Sequence, residues 1–214
     1  MARILIIGAS RGIGHEAVQI ALEGGHFVRA LARTPDGIGP AHPLLETVPG
    51  DATDPAAVAA AMTDIDAVIL TVGVAAGPAR MCRPVRLFSD SARAVVAAMG
   101  TAGVRRLVTV TGFGAGDSRS AMSAPERAIH RLFLGTAYDD KDRQEEIIRQ
   151  SDLDWLILRP TILTNGPASG RCQVLVAPET WRNGLIPRRD VAEIAVREAA
   201  APTLSRETPV LTRG

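Results

Sequence analysis

The chain has 214 residues, of which 46% are hydrophobic and 22% charged, so it is long enough to bury the core of one globular domain. Its formal net charge of +1 gives no electrostatic reason to expect nucleic acid or membrane partners. No segment approaches the ~18 uninterrupted apolar residues of a membrane span, and no signal-peptide core is present, so we expect a soluble cytoplasmic protein. Cys82 and Cys172 lack metal-ligand spacing, which predicts reduced thiols and no metal site.

The first segment of the chain predicts a strand, a glycine turn, a helix and a second strand. An apolar run ends at Ile7, and a helical pattern ends at Gly24-Gly25, before the strand at 27–31. Glycines let a diphosphate approach the backbone at a helix N-terminus, which presents unpaired N–H groups. The sequence therefore predicts a dinucleotide site made by the turn residues Gly8, Ser10, Arg11, Gly12, Ile13 and Gly14.

Strand and helix patterns alternate along the rest of the chain. This alternation implies βαβ units, so we predict an α/β fold with a Rossmann-type doubly wound parallel sheet in three α/β/α layers. We expect residues 1–214 to form a single NAD(P)-binding domain with a small substrate-side portion at about 160–214. Strands are predicted at 44–48, 66–71, 107–110 and 155–158, and helices at 55–62, 84–102, 126–134, 139–150 and from Asp190, as cap, to Ala200.

The end of the second strand indicates which cofactor the site prefers. An NAD site usually has an Asp or Glu about 20 residues beyond the glycine turn, where it accepts from the ribose 2′-hydroxyl. This chain has Ala32-Arg33-Thr34 instead. The donor fork of Arg33 matches a 2′-phosphate, and Arg11 offers a second cation. NADP(H) is the predicted cofactor, with two alternatives: Arg33 is only a solvated strand-end charge, or Asp36 supports NAD.

The glycine spacing resembles the cofactor loop of short-chain dehydrogenases, and further segments point to their atypical branch. These segments include Gly50-Asp51-Ala52-Thr53-Asp54, Val72-Gly73, Leu158-Arg159-Pro160-Thr161 and the run from Ile186 to Ala192. Together they resemble the NAD(P)H-binding group that contains NmrA-like proteins and the flavin and biliverdin-IXβ reductases. The resemblance covers nearly the whole chain and implies an NAD(P)-binding Rossmann fold.

The resemblance also implies roles for residues that follow several strands. Asp51, beside Ala52, matches an aspartate that contacts adenine, although turn capping by Asp51 is a nearly equal alternative. Val72 and Gly73 lie where the fourth strand would meet the nucleotide. The loop after the sixth strand, made of Pro160, Thr161, Ile162 and Leu163, is implied to touch the nicotinamide amide. The alternative is that Pro160 only ends the strand.

The candidate catalytic residues depart from the ordinary short-chain dehydrogenase pattern. That pattern has a lysine four residues after the tyrosine, whereas Tyr138, the only tyrosine here, is followed by Lys141 at three and Asp142 at four. Thr111 ends the fifth strand near the implied nicotinamide position, and Gly112 stands where a second hydroxyl is expected. We name Tyr138, Lys141 and Thr111 as catalytic candidates, with Thr111 and Lys141 also contacting the cofactor. The alternatives are a packing tyrosine and a solvated lysine.

The predicted function is an NADPH-dependent oxidoreductase that transfers hydride to a small planar acceptor such as a flavin, quinone or carbonyl compound. Alternatives are a non-catalytic NADP(H)-binding redox sensor of the NmrA-like type and, less favoured, a sugar-nucleotide epimerase. The partner would be a small-molecule substrate, and the protein a monomer or homodimer. An acidic run is predicted to form a solvated helix face: Asp139, Asp140, Asp142, Glu145 and Glu146.

Overall fold

The computed structural model describes residues 1–35, 37–39, 41–74 and 85–214. Three positions named above lie outside these ranges, namely Asp36, Cys82 and Pro84, the predicted start of the third helix. The strands are β1 (Arg3–Ile7), β2 (Phe27–Ala32), β3 (Leu45–Pro49), β4 (Ala67–Leu70), β5 (Arg106–Val110), β6 (Asp154–Pro160), β7 (Ile162–Thr164), β8 (Cys172–Leu175), β9 (Leu185–Pro187) and β10 (Val210–Arg213). The helices are α1 (Gly12–Glu23), α2 (Pro55–Ala60), α3 (Leu87–Ala102), α4 (Ala124–Arg149) and α5 (Arg188–Ala200).

Eight of the strands form one sheet in the order β3-β2-β1-β4-β5-β6-β10-β8. All neighbours in it are parallel except β8, which pairs antiparallel with β10 at the edge. The strand order reverses between β1 and β4, which creates a crevice at the carboxyl ends of the central strands. A short parallel pair, β7 with β9, lies beside the sheet. The predicted doubly wound α/β fold is confirmed.

The central strands have apolar side chains on both faces, because helices cover the sheet on both sides. Along β1, Ile4 and Ile6 belong to a core shared with α1 and α5, whereas Leu5 and Ile7 belong to a core shared with α2 and α3. This alternation follows from the two-residue period of a strand. Each such buried side chain stabilises the fold by about 1.5–3 kcal/mol, so the core holds the carboxyl ends of the strands rigidly in place.

One prediction about helices was wrong, since residues 126–134 and 139–150 belong to a single helix, α4, of 26 residues. It begins with a capping box in which Ser123 and Glu126 satisfy each other's backbone N–H groups. Gly135 does not break it, because a glycine inside a helix costs only about 1 kcal/mol and no proline interrupts the segment. Because α4 is continuous, its residues Leu134, Tyr138 and Lys141 line the same crevice at the carboxyl ends of the strands.

The prediction that Asp190 caps the last helix was also wrong. Helix α5 begins at Arg188, three residues earlier than that cap implies, and no side chain caps it at Pro187. Asp190 is buried and accepts hydrogen bonds from the backbone N–H and hydroxyl of Ser169. It therefore anchors the loop after β7 to α5. None of the described helices combines the length and apolar character needed to cross a bilayer.

Candidate functional site

The glycine turn between β1 and α1 has the geometry of an anion cradle. Gly8 and Gly12 adopt φ of 89° and 61°, which side-chain-bearing residues rarely adopt. Gly14 packs so closely that a Cβ there would overlap the Gly8 carbonyl oxygen and lie 2.6 Å from Oγ1 of Thr71. No side chain caps the N-terminus of α1 at Arg11, so its first N–H groups remain available to a bound anion.

This turn opens into a cleft of about 960 Å³ at the carboxyl ends of the strands. This volume lies near the upper end of the ~300–1,000 Å³ that ligand pockets commonly have. Most of the predicted cofactor-binding residues line it: Gly8, Ser10, Arg11, Gly12, Ile13, Arg33, Asp51, Ala52, Val72, Gly73, Thr111 and Lys141. Gly14 instead holds the turn together from behind. A dinucleotide diphosphate fits this turn, because no side chain caps the N-terminus of α1 and Gly8 and Gly12 line the cleft beside it.

The end of the cleft beside β2 is bordered by charged side chains. Arg33 and Arg11 are exposed and line the cleft. Asp51 accepts hydrogen bonds from the backbone N–H and the hydroxyl of Thr53 at 2.9 and 2.8 Å. These bonds, together with Arg33, lower the pKa of Asp51 below its ordinary value. Both bonds go to Oδ1, and Asp51 also lines the cleft. Turn capping and a contact to adenine, the two alternatives for Asp51, are therefore compatible with each other.

The three catalytic candidates meet at the other end of the cleft. Lys141 donates to the carbonyl oxygen of Thr111 at 2.5 Å, and its Nζ lies 4.6 Å from the centre of the Tyr138 ring. Lys141 therefore contacts the face of the Tyr138 ring, and its hydrogen bond goes to the Thr111 carbonyl and not to the tyrosine hydroxyl. The departure at Gly112 has a steric reason: a Cβ there would lie 2.5 Å from the Tyr138 hydroxyl oxygen. The tyrosine hydroxyl fills the space that a serine would need.

Behind these residues lies a buried ionic network. Glu145, which is 3% exposed, accepts from the Thr111 hydroxyl at 2.7 Å and from Nε and Nη2 of Arg159 at 3.1 and 2.6 Å. Nη1 of Arg159 lies 2.6 Å from Oδ1 of Asp117. Because the Thr111 hydroxyl donates its proton to Glu145, this proton is not available to a ligand in the cleft.

Burial and the Glu145 charge set the protonation of the two titratable candidates. Burial lowers the pKa of Lys141 to about 8, while the Glu145 carboxylate partly opposes this shift. Burial, with the charges of Glu145 and Asp142, raises the pKa of Tyr138 to about 12. Tyr138 therefore stays a neutral phenol at physiological pH. The site lacks the lysine-activated tyrosine of the ordinary short-chain dehydrogenases.

The predicted solvated acidic face of α4 was wrong for two of its members. Asp140 is fully buried and accepts from the backbone N–H groups of Phe88 and Ser89 at 2.9 and 3.3 Å, which caps the start of α3. Glu145 is buried in the network described above. Periodicity did not reveal either role, because the groups that pair with them lie on other elements.

The loop after β6 contributes less of the cleft wall than its sequence suggested. Pro160 is the last residue of β6, and Thr161 is buried with its N–H bonded to Leu211. Ile162 begins β7 and is 57% exposed. From this segment Leu163 and Asn165 line the cleft, whereas Pro160, Thr161 and Ile162 do not.

Several cleft residues were not predicted from the sequence: Phe88, Leu134, Asn165 and Arg188. His130 supports one of the catalytic candidates, because it packs edge-on against the Tyr138 ring with centroids 4.1 Å apart. His130 and Tyr138 are eight residues apart, a spacing that places them on one face of α4. The eight-residue spacing can be read from the sequence, but it places the two side chains on one face only if the helix is continuous.

The fold and the cleft together define a Rossmann-type dinucleotide-binding protein. A family model described as NAD(P)H-binding matches residues 8–202, so the chain belongs to this NAD(P)H-binding family of oxidoreductase type. The resemblance predicted from the sequence is thereby confirmed.

Three relatives illustrate the range of the family. ChuY from Escherichia coli O157:H7, described as an anaerobillin reductase, is 27% identical, with a TM-score of 0.79 over 99% of this chain and 97% of its own. An uncharacterised sugar epimerase of Bacillus subtilis, YhfK, is 26% identical over 99% of this chain and 94% of its own. A Veillonella parvula short-chain dehydrogenase in complex with NADP has a TM-score of 0.84 at 17% identity, covering 99% and 94%, and so shows the fold.

Proposed function

We propose that this protein is an NADPH-dependent reductase that transfers hydride to a small planar conjugated acceptor, such as a flavin, a quinone or a linear tetrapyrrole. The observation that carries the proposal is the single cleft that joins the glycine turn and Arg33 to the group of Thr111, Tyr138 and Lys141. The anaerobillin reductase activity given for ChuY supports an acceptor of this kind.

The protonation states of the site favour a conjugated acceptor over a simple aldehyde or ketone. The reduced nicotinamide supplies the hydride and its electron pair. A carbonyl substrate needs a well-matched proton donor, but the high pKa of Tyr138 makes its phenol a weak acid and the Thr111 proton is held by Glu145. A conjugated acceptor spreads the transferred charge and takes its proton from water. Tyr138 then orients the acceptor by hydrogen bonding.

Turnover with several acceptor classes tests this proposal. The purified protein is mixed with NADPH and a flavin, a quinone, a linear tetrapyrrole or an aldehyde, and loss of nicotinamide absorbance is followed. We expect turnover with at least one conjugated acceptor. We expect the Tyr138→Phe substitution to lower this turnover by less than about tenfold, well below the ~10²–10⁴-fold that general acid catalysis contributes. Turnover with the aldehyde alone, or a loss of that full size, would contradict the proposed mechanism.

The second candidate is an NADP(H)-binding redox sensor without turnover. The weak acidity of Tyr138 and the occupied Thr111 proton favour it, since binding needs neither group to transfer a proton. NADPH binding without consumption in every acceptor mixture would support the sensor and refute the reductase.

The choice of NADPH rests on Arg33 and Arg11 at the end of the cleft beside β2. Arg33→Asp should weaken NADPH binding by roughly tenfold or more, because one charge-assisted hydrogen bond contributes ~1.5–3 kcal/mol, and should favour NADH in relative terms. Affinities come from fluorescence titration. Arg213→Asp, an exposed charge change in β10 outside the cleft, is the control. Equal NADPH affinities in the wild type and the Arg33 variant would refute the role of Arg33.

A further inference from the structure

Arg188 faces the glycine turn from the opposite side of the cleft. It is the first residue of α5, and a Cβ built on Gly12 would lie 3.9 Å from its Nε. Arg188 also lines a second cavity of about 330 Å³, which shares Ser10, Arg11, Gly12 and Asn165 with the main cleft. A guanidinium therefore lies against the N-terminus of α1.

The orientation of Arg188 is set by Asn165. Nη1 of Arg188 donates to Oδ1 of Asn165 at 2.6 Å. The neighbouring Arg189 is bound differently, because it pairs with Glu16, Glu23 and Glu193. Within the described ranges, the ion pairs at the start of α5 are made by Arg189 and not by Arg188. The positive charge of Arg188 is thus left facing the turn.

An arginine in this position suits a diphosphate. The N-terminus of α1 offers backbone N–H groups on one side, and the guanidinium offers further donors on the other. Arginine binds phosphate oxygens through two parallel hydrogen bonds, and one such donor pair remains on Arg188 after its bond to Asn165. Gly12 and Arg188 both line the cleft at this point.

We propose that Arg188, held by Asn165, is a second binding group for the cofactor diphosphate. This assignment rests on the proposed dinucleotide function. It gives the cationic residues different roles, since Arg188 binds the diphosphate, which NADH and NADPH share, whereas Arg33 binds the 2′-phosphate, which NADPH alone carries. The small β7–β9 portion of the chain, through Asn165 and the start of α5, then takes part in holding the cofactor.

Titration with three nucleotides tests the assignment. Arg188→Met retains the apolar stem and removes the guanidinium, and Arg189→Met is the matched control. We expect Arg188→Met to weaken NADPH and NADH by the same factor, roughly tenfold to a hundredfold for a lost charged contact, and to leave adenosine 2′-monophosphate unchanged. Asn165→Ala should show a smaller loss with the same pattern. Arg188→Lys should recover part of the affinity, because it restores the charge without the fork.

The outcomes separate this inference from the proposed function. A loss confined to NADPH and adenosine 2′-monophosphate would move Arg188 to the 2′-phosphate and overturn the assignment. Equal binding by the Arg188→Met, Arg189→Met and wild-type proteins would also overturn it, while leaving the dinucleotide site intact. A wild-type protein that binds neither NADH nor NADPH would refute the proposed function itself, and the diphosphate assignment with it.

Discussion

The two ends of the cleft are built in different ways. At one end, the consecutive residues Gly8 to Gly14 form the glycine turn, with positive φ angles at Gly8 and Gly12 and an uncapped start of α1. At the other end, the side chains of Thr111, Glu145 and Arg159 come from the end of β5, α4 and β6 and meet only in the folded protein. The difference teaches that the backbone shape of the glycine turn comes mainly from one short stretch of sequence, whereas the other end depends on tertiary packing.

The largest effect is a loss of stability, and it is expected when the buried charge of Glu145 is removed. Glu145→Gln should destabilise the protein by about 3 kcal/mol, because it leaves the guanidinium of Arg159 with only one carboxylate partner. For a chain of this size the loss corresponds to a Tm lower by roughly 6–12 °C, measured by thermal unfolding.

Glu146→Gln is the control for this change, since Glu146 is the exposed neighbour of Glu145 on α4. It should leave Tm within about 2 °C of the wild type. If both variants melted alike, the buried network would not be what organises this end of the cleft.

A smaller effect is expected from the glycine turn. Gly14→Ala places a methyl group against the Gly8 carbonyl and the Thr71 hydroxyl, and overpacking of this kind costs ~1–3 kcal/mol. The turn must shift to relieve it, so NADPH affinity should fall by roughly tenfold or more. Titration and thermal unfolding measure the two effects.

Gly100→Ala provides the comparison, because Gly100 lies exposed in α3 and a Cβ there meets nothing within 4 Å. It should raise stability by up to ~1 kcal/mol through helix propensity and leave NADPH affinity unchanged. Unaltered NADPH binding by Gly14→Ala would show that the turn tolerates more than its backbone packing suggests.

The smallest predicted effect is a change of stability and of NADPH affinity with pH, caused by the titration of Lys141. The Lys141 pKa is about 8 in the folded protein, compared with an ordinary value of 10.5, so Lys141 loses its proton between these limits only when folded. The unfolded chain binds more protons in that window, and this group therefore makes stability rise with pH there. If the ammonium contacts the cofactor, NADPH affinity should instead fall as pH rises through about 8.

Lys141→Arg identifies the source of that pH dependence, because arginine does not titrate in this range. The variant should keep a flat NADPH affinity between pH 7 and 9, roughly one pH unit on either side of the Lys141 pKa. A wild-type affinity that is equally flat would remove Lys141 from the cofactor contacts.

The sequence predicted the local features well and the long-range ones poorly. The glycine turn between β1 and α1 and the start of α2 at Pro55 follow from residues within short windows, and Asp54 caps α2. Asp140 and Glu145 were placed in solvent, because their partners lie 14 to 52 positions away in the sequence, on other elements or at their ends. Hydrophobic periodicity assigns a face to a residue, but it does not show which buried charge will meet it there.

The close approach of Tyr138 to Gly112 has an evolutionary consequence. The tyrosine hydroxyl occupies the place of a Cβ at position 112, so the two positions cannot both carry bulky groups on this backbone. Lineages that gain a hydroxyl-bearing residue at one position must give up or displace the aromatic ring at the other. An alignment of relatives should therefore show mutual exclusion between these two columns, a covariation that arises from shared space.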